Sequence, residues 1–182
     1  MSTEFSLPEA RAVLERSPEV LSSLLGALPD RLLHADEGPG TWSSIEVLKH
    51  LVWAEVDDWI PRIQSILVHG RTQTFRPFDR EAGFERYSDW TVDKLLLEFA
   101  TLRRQNLETL ASLCREADLS LEGTHPEFGP VTLEQLIATW ATHDMGHLVQ
   151  IGRVLTKSLG QYTGPWRAYI SVLRDIPASE SR

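Results

Sequence analysis

An all-α chain folded as a four-helix bundle is what this sequence predicts, on three observations. Four segments place leucines and aromatics at helical spacing behind residues that cap helix starts. Stretches without a sustained period separate them: Gly38-Pro39-Gly40, residues 71–90 and residues 118–131. The last segment carries His143 and His147, four residues apart, in the stripe that also holds Leu136 and Val154.

The first helix opens at Leu7-Pro8-Glu9, with proline near N1 and an acid in the first turn. Pro18 is expected to interrupt it, with Ser17 capping a restart. Leu21, Leu24, Leu25, Leu28 and Leu32 then face the core, and Pro29 should end or kink the pattern. Thr41 or Ser43 caps the second helix, and Glu46 completes a capping box with Ser43. This helix should run to about His69-Gly70 with a bend at Pro61. Its inward stripe reads Val47, His50, Trp53 or Ala54, Asp57 and Ile60.

Residues 71–90, fully extended, could span roughly 65 Å. They can therefore form a long crossover between second and third helices that point the same way. Thr91 caps the third helix with Lys94 at N3, so its capping box is incomplete. Its stripe is Leu95, Phe99, Leu102, Asn106, Leu110 and Leu113, in which Asn106 needs a hydrogen-bonding partner if buried. Residues 118–131 read as a loop. Thr132 caps the fourth helix, with Leu136, Trp140, His143, His147, Gln150 and Val154 inward and Gly160 closing it. From Tyr162 to Ile176, Trp166, Tyr169, Ile170 and Leu173 suggest a short C-terminal covering helix.

A chain of 182 residues suits one domain, residues 1–182, that can bury a core unaided. Hydrophobic content of 42% and charged content of 24% are ordinary for a globular protein. The net charge of −8, without a Lys/Arg cluster, argues against a nucleic-acid partner. The single cysteine, Cys114, excludes an intrachain disulfide and suits a reducing cytosol, so a cytoplasmic location is expected. Cys114 itself reads as a small core residue rather than a nucleophile. Residues 1–16 have no continuous apolar run and do not read as a secretory signal. No stretch approaches the roughly 20 apolar residues that span a bilayer, so no membrane association is expected.

Spacing of i, i+4 puts His143 and His147 about 6 Å apart along one helix face, half of a metal site. His50, inside the second helix's stripe, is the candidate third ligand. Burying three unpartnered imidazoles costs several kcal/mol of hydration, which a metal would relieve. The alternative is a set of core histidines satisfied by hydrogen bonds. Asp144 follows His143 where a His-Glu-x-x-His metallopeptidase would carry its glutamate, so peptidase chemistry is disfavoured. Three neutral histidines without a fourth protein ligand describe an open centre, with positions for water or substrate. A divalent transition metal is expected, zinc or nickel first, with iron, manganese or copper also compatible.

Three blocks carry a wider resemblance: Trp42-Ser43-x-x-Glu46-x-x-x-His50-Leu51, Trp90-Thr91, and Leu133-x-x-Leu136 followed by His143-Asp144-x-x-His147-Leu148-x-Gln150-Ile151. In these the chain resembles the DinB/YfiT-like superfamily of four-helix-bundle metal proteins, from about residue 8 to 175. The resemblance implies that His50, His143 and His147 form the metal triad of an up-down-down-up bundle, with the crossover between helices two and three. It also implies a metal-dependent enzyme, first a transferase acting with a low-molecular-weight thiol such as bacillithiol or mycothiol. In that reading the metal holds the thiol as thiolate, which attacks an electrophilic small-molecule substrate. The alternatives are a hydrolase using metal-bound hydroxide and a non-catalytic metal or small-molecule binder. A homodimer is a further expectation, because dimers are common among such proteins.

Other residues have two readings each. Trp53 and Trp140 read as core aromatics, with pocket walls as the alternative. Asp57 could orient a ligand or act as a base, or be solvated past the bundle's rim. Asp144 could brace a histidine or form a surface salt bridge. Gln150 could contact a metal-bound group or satisfy Asn106. His34, His69 and His125 read as solvent-exposed, and Arg71 and Arg76 as solvated loop residues, with contact to an anionic substrate as the alternative.

Overall fold

The computed structural model describes residues 4–174. Helix α1 spans Leu7–Leu25, and a short α2, Asp30–Leu33, follows. The second rod is two helices, α3 (Ser44–Asp57) and α4 (Trp59–His69). A 3-10 turn at Gly70–Thr72 leads into the crossover, which carries α5, Ala82–Arg86. Helix α6 is Val92–Leu113, strands β1 (Glu122–His125) and β2 (Gly129–Thr132) pair antiparallel, and α7 runs Leu133–Gly160. A 3-10 segment, Gly164–Tyr169, and α8, Ser171–Arg174, complete the described chain.

Two apolar clusters fix the helix directions. One joins Leu14 of α1, Trp59 and Ile63 of α4, Leu110 of α6 and Leu136 of α7. The other joins Leu25 of α1, Leu48 of α3, Leu95 of α6 and Ile151 of α7. The chain therefore climbs in α1, descends in both α3–α4 and α6, and climbs again in α7. This is the expected up-down-down-up bundle, with two parallel rods joined by the crossover.

The helix starts follow the sequence closely. Ser43 and Glu46 form the capping box of α3, and Oγ1 of Thr91 accepts from the Lys94 amide at 3.3 Å. Thr132 and Gln135 form a second capping box at the start of α7. The breaks follow it less well. Pro18 does not interrupt α1, which runs unbroken, and Ser17 is no cap: its hydroxyl donates to the Val13 carbonyl at 3.2 Å. Pro18 cannot bond the carbonyl of Leu14, but a side chain from α6 does so instead. The second rod does break, at Asp58 (φ −112°, ψ −68°), three residues ahead of Pro61. Loop 118–131 contains the β1–β2 hairpin, whose Gly129 has φ 72°.

The expected short C-terminal helix is α8, which begins only at Ser171. Its Leu173 is buried against α7, while Trp166 and Tyr169, in the 3-10 segment before it, are 69% and 84% exposed. Close approach explains the seating of Leu173: a Cβ on Gly160 would come within 2.7 Å of its side chain. Ile176, the expected end of that helix, lies outside the described residues. Cys114 is buried at the end of α6, and burial pushes its thiol up, as an inert core residue requires.

Candidate metal centre

His50 leaves α3 toward α7, where His143 and His147 occupy successive turns. The Nε2 atoms of His50 and His143 lie 3.0 Å apart, and those of His143 and His147 lie 3.1 Å apart. Nitrogens bound about 2.1 Å from one ion sit roughly 3.0–3.4 Å from each other, so the spacing fits a shared cation. The three ligand atoms lie within 4.8 Å of one another.

Two of the rings are held in a known tautomer. Nδ1–H of His50 donates to the Arg80 carbonyl at 2.9 Å, and Nδ1–H of His147 donates to Oε1 of Gln150 at 2.9 Å. Both therefore present a bare Nε2 lone pair to Nε2 of His143, which carries at most one hydrogen. At least one of the two close contacts thus sets lone pair against lone pair. Protonation is no remedy. Burial pulls His50 down to about 4 and His143 to about 2, the latter helped by its neighbouring imidazoles. His147 is also lowered by burial, against the pull of Gln150. The donor set suits a divalent transition metal, which would accept the lone pairs that now oppose one another.

Local structure aims these rings. Gly83 lets α5 dock on α3, since a Cβ there would meet the Lys49 carbonyl at 2.7 Å and Cβ of Trp53 at 2.9 Å. That contact brings the Arg80 carbonyl to His50. Trp42, just before the α3 cap, lies 4.9 Å from the His50 ring and stacks on His147 at 6.3 Å.

A cavity of about 440 Å³ opens beside the three imidazoles. Trp59, Phe75, Phe78 and Phe128 contribute its apolar walls, and Asp58, Arg62, Arg80 and Glu127 its charges. Asp58 and Arg62 are ion-paired at 2.6 Å. Burial, with some help from Asp57, raises the Asp58 carboxyl to about 6 against the pull of Arg62. The hairpin forms the outer wall. There Nδ1 of His125 accepts from the amides of Glu127 and Phe128 (3.2 and 3.3 Å), and its ring stacks on Phe128 at 4.5 Å. His125 is therefore a half-buried cavity residue, not the exposed loop histidine expected from sequence; His34 and His69 are exposed as expected.

Below the centre lies a buried charged layer that sequence reading missed. Arg103, 1% exposed, pairs with Glu55 at 2.9 Å and with both oxygens of Asp144 at 2.6 and 3.1 Å. Glu55 also accepts from Trp140 Nε1 at 2.9 Å and from Asn106 Nδ2 at 3.0 Å. Burial pushes Glu55 up despite Arg103, while Arg103, although burial opposes its charge, is held above its ordinary value by the two carboxylates. The partners of Asn106 and Asp144 are thus corrected: Asn106 meets Glu55 rather than Gln150, and Asp144 meets Arg103 rather than a histidine or solvent. Trp140 is core, and Trp53, half-buried, donates to the Asp79 carbonyl at 3.1 Å. The tryptophan in the cavity wall is Trp59. Asp57 pairs with Arg76, and Arg71 with Glu122 at 3.4 Å, so neither arginine is simply solvated.

The family model described as the DinB superfamily matches residues 13–151. The chain belongs to the DinB superfamily. Among solved structures, YfiT from Bacillus subtilis, described as "a probable metal-dependent hydrolase with an unusual four-helix bundle topology", matches with a TM-score of 0.70. That match has 22% sequence identity and covers 88% of this chain and 93% of YfiT. At such identity it bears on the fold alone. No curated protein matches this DinB-superfamily chain. No helix among the described residues is long and apolar enough to cross a membrane.

Proposed function

We propose that this chain is a metal-dependent enzyme acting on a small molecule, with His50, His143 and His147 as ligands of a divalent transition metal, zinc or nickel first. One observation carries the reading: three Nε2 atoms face one another with at most one hydrogen among them. A bound ion would replace that repulsion with attraction. It would also lower the pKa of a thiol or water in contact with it.

Within this class we favour transfer from a low-molecular-weight thiol to an electrophile. The cavity has room for such reactants beside the nitrogens, and among the described residues no fourth protein ligand joins the cluster. The chain's own contribution is to hold the imidazoles neutral, shield the site with aromatic walls and supply a base. Asp58, raised to about 6, is mostly ionised at neutral pH and can take the thiol proton. The sulfur then bonds to the electrophilic carbon as the leaving group departs.

Hydrolysis is the second reading, supported by the same carboxylate, which serves a water nucleophile equally well. Protein purified without a polyhistidine tag should contain about one divalent ion per chain. Activity should appear in thiol-plus-electrophile panels and vanish in His50→Ala with the fold retained. Turnover of esters without added thiol would select hydrolysis. Metal below stoichiometry after zinc or nickel addition would end both readings.

A further inference from the structure

Arg62 and Arg76, two arginines near the cavity, are matched by carboxylates, Asp58 and Asp57. Arg80 is not: among the described residues no carboxylate pairs with it. Its guanidinium lies 5.3 Å from the Trp42 ring, which itself contacts His50 and His147. Arg80 lines the cavity, and its charge acts on all three imidazoles. In a protein of net charge −8, this exposed cation beside the three imidazoles has a ring, Trp42, but no carboxylate as its partner. The cavity's acids do not neutralise it: Asp58 is engaged by Arg62, and Glu127 stands exposed at the hairpin tip.

The rest of the cavity asks for a different chemistry. Trp59, Phe75, Phe78 and Phe128 surround a space of about 440 Å³, enough for a single-ring molecule. Phe128 is 75% exposed and stacks on His125, a flat apolar face on the outer wall of the cavity. Planar apolar faces favour a planar apolar guest.

We propose that this cavity binds a small organic anion with a flat apolar body, its carboxylate-like group held by Arg80 beside the three imidazoles and its body against the aromatic wall. This rests on the enzyme reading only in calling the anion a substrate. A guanidinium fork matches a carboxylate with two parallel N–H···O bonds, which a neutral amide cannot replace.

The test is calorimetric titration of benzoate and of its neutral isostere benzamide into metal-free and zinc-loaded protein. Benzoate should saturate at one per chain in the metal-free protein and bind about tenfold or more tightly than benzamide, as charge-assisted bonds require. Arg80→Gln should lose a similar factor for benzoate and none for benzamide, and Arg80→Lys should retain part of the preference. Phe128→Ala should weaken benzoate but not acetate. The inference is overturned if benzamide matches benzoate, if benzoate does not saturate, or if Arg80→Gln binds it unchanged. The benzoate–benzamide comparison uses unmodified protein, so it stands even if a variant misfolds. Zinc content of the same samples separates the two ideas. Arg80-dependent benzoate binding without zinc uptake sinks the enzyme reading alone; full zinc uptake with Arg80-independent binding sinks this one alone.

Discussion

Nη1 of Arg103 donates to the carbonyl oxygen of Leu14 at 2.9 Å, the acceptor that Pro18 leaves unpaired one turn on. A buried cation thus mends a helix that its proline would otherwise break, while neutralising Glu55 and Asp144. Arg103→Met should cost about 3–5 kcal/mol in urea unfolding, because it strands two buried carboxylates. Pro18→Ala should restore an amide to Leu14, so the double variant should recover about 1 kcal/mol relative to additivity. Strict additivity would deny the link.

Metal should stabilise the fold. At a free zinc concentration 100 times Kd, unfolding should cost about 2.7 kcal/mol more than in the chelated protein. His143→Ala should abolish this difference. A melting temperature that ignores zinc and chelator alike would refute the ion's role.

Gln150 and Gly83 touch no metal yet aim its ligands. Gln150→Leu frees the His147 ring and should weaken zinc binding about tenfold. Gly83→Val pushes α5 from α3 and with it the Arg80 carbonyl from His50, so it should also weaken zinc binding. Competition with a chromophoric chelator measures both; unchanged affinity in both would show that the rings hold themselves.

Acid should unfold the metal-free protein early. The folded histidines, at about 4 for His50 and about 2 for His143, remain neutral where their unfolded counterparts, near 6.5, take up protons. Their contribution is therefore present above about pH 6.5 and lost as pH falls below it, by up to about 1.4 kcal/mol per pH unit for each. Asp58 acts oppositely. Raised from 3.8 to about 6, it favours the fold below about pH 4 and loses that contribution as pH rises through 6. Asp58→Asn should therefore steepen the fall in stability between pH 6 and 4, as urea midpoints across that range would reveal.

The bundle and its histidine trio were legible because capping and i, i+4 spacing are local signals, plain at Ser43–Glu46 and at His143–His147. What escaped depends on distant partners. Pro18 reads as a breaker unless the rescuing Arg103, far along the chain, is known. Glu55, Arg103 and Asp144 each look like surface charges singly and make sense only once three helices face one another. The hairpin carried its Gly129-Pro130 turn signal but only short strands, and His125 gained its burial from that fold. Arg80 is not legible locally, because its surroundings come from Trp42 and α3 and not from its neighbours in sequence.

His50 and His143 stand 93 positions apart, on rods that meet only when the bundle is assembled. An ion held between them would tie a loop of that length shut, as a covalent cross-link does, in a chain whose lone cysteine can form no internal disulfide. Unlike a disulfide, the tie could be undone by a chelator in the absence of any reductant. The loaded chain should resist a protease that quickly degrades the stripped one.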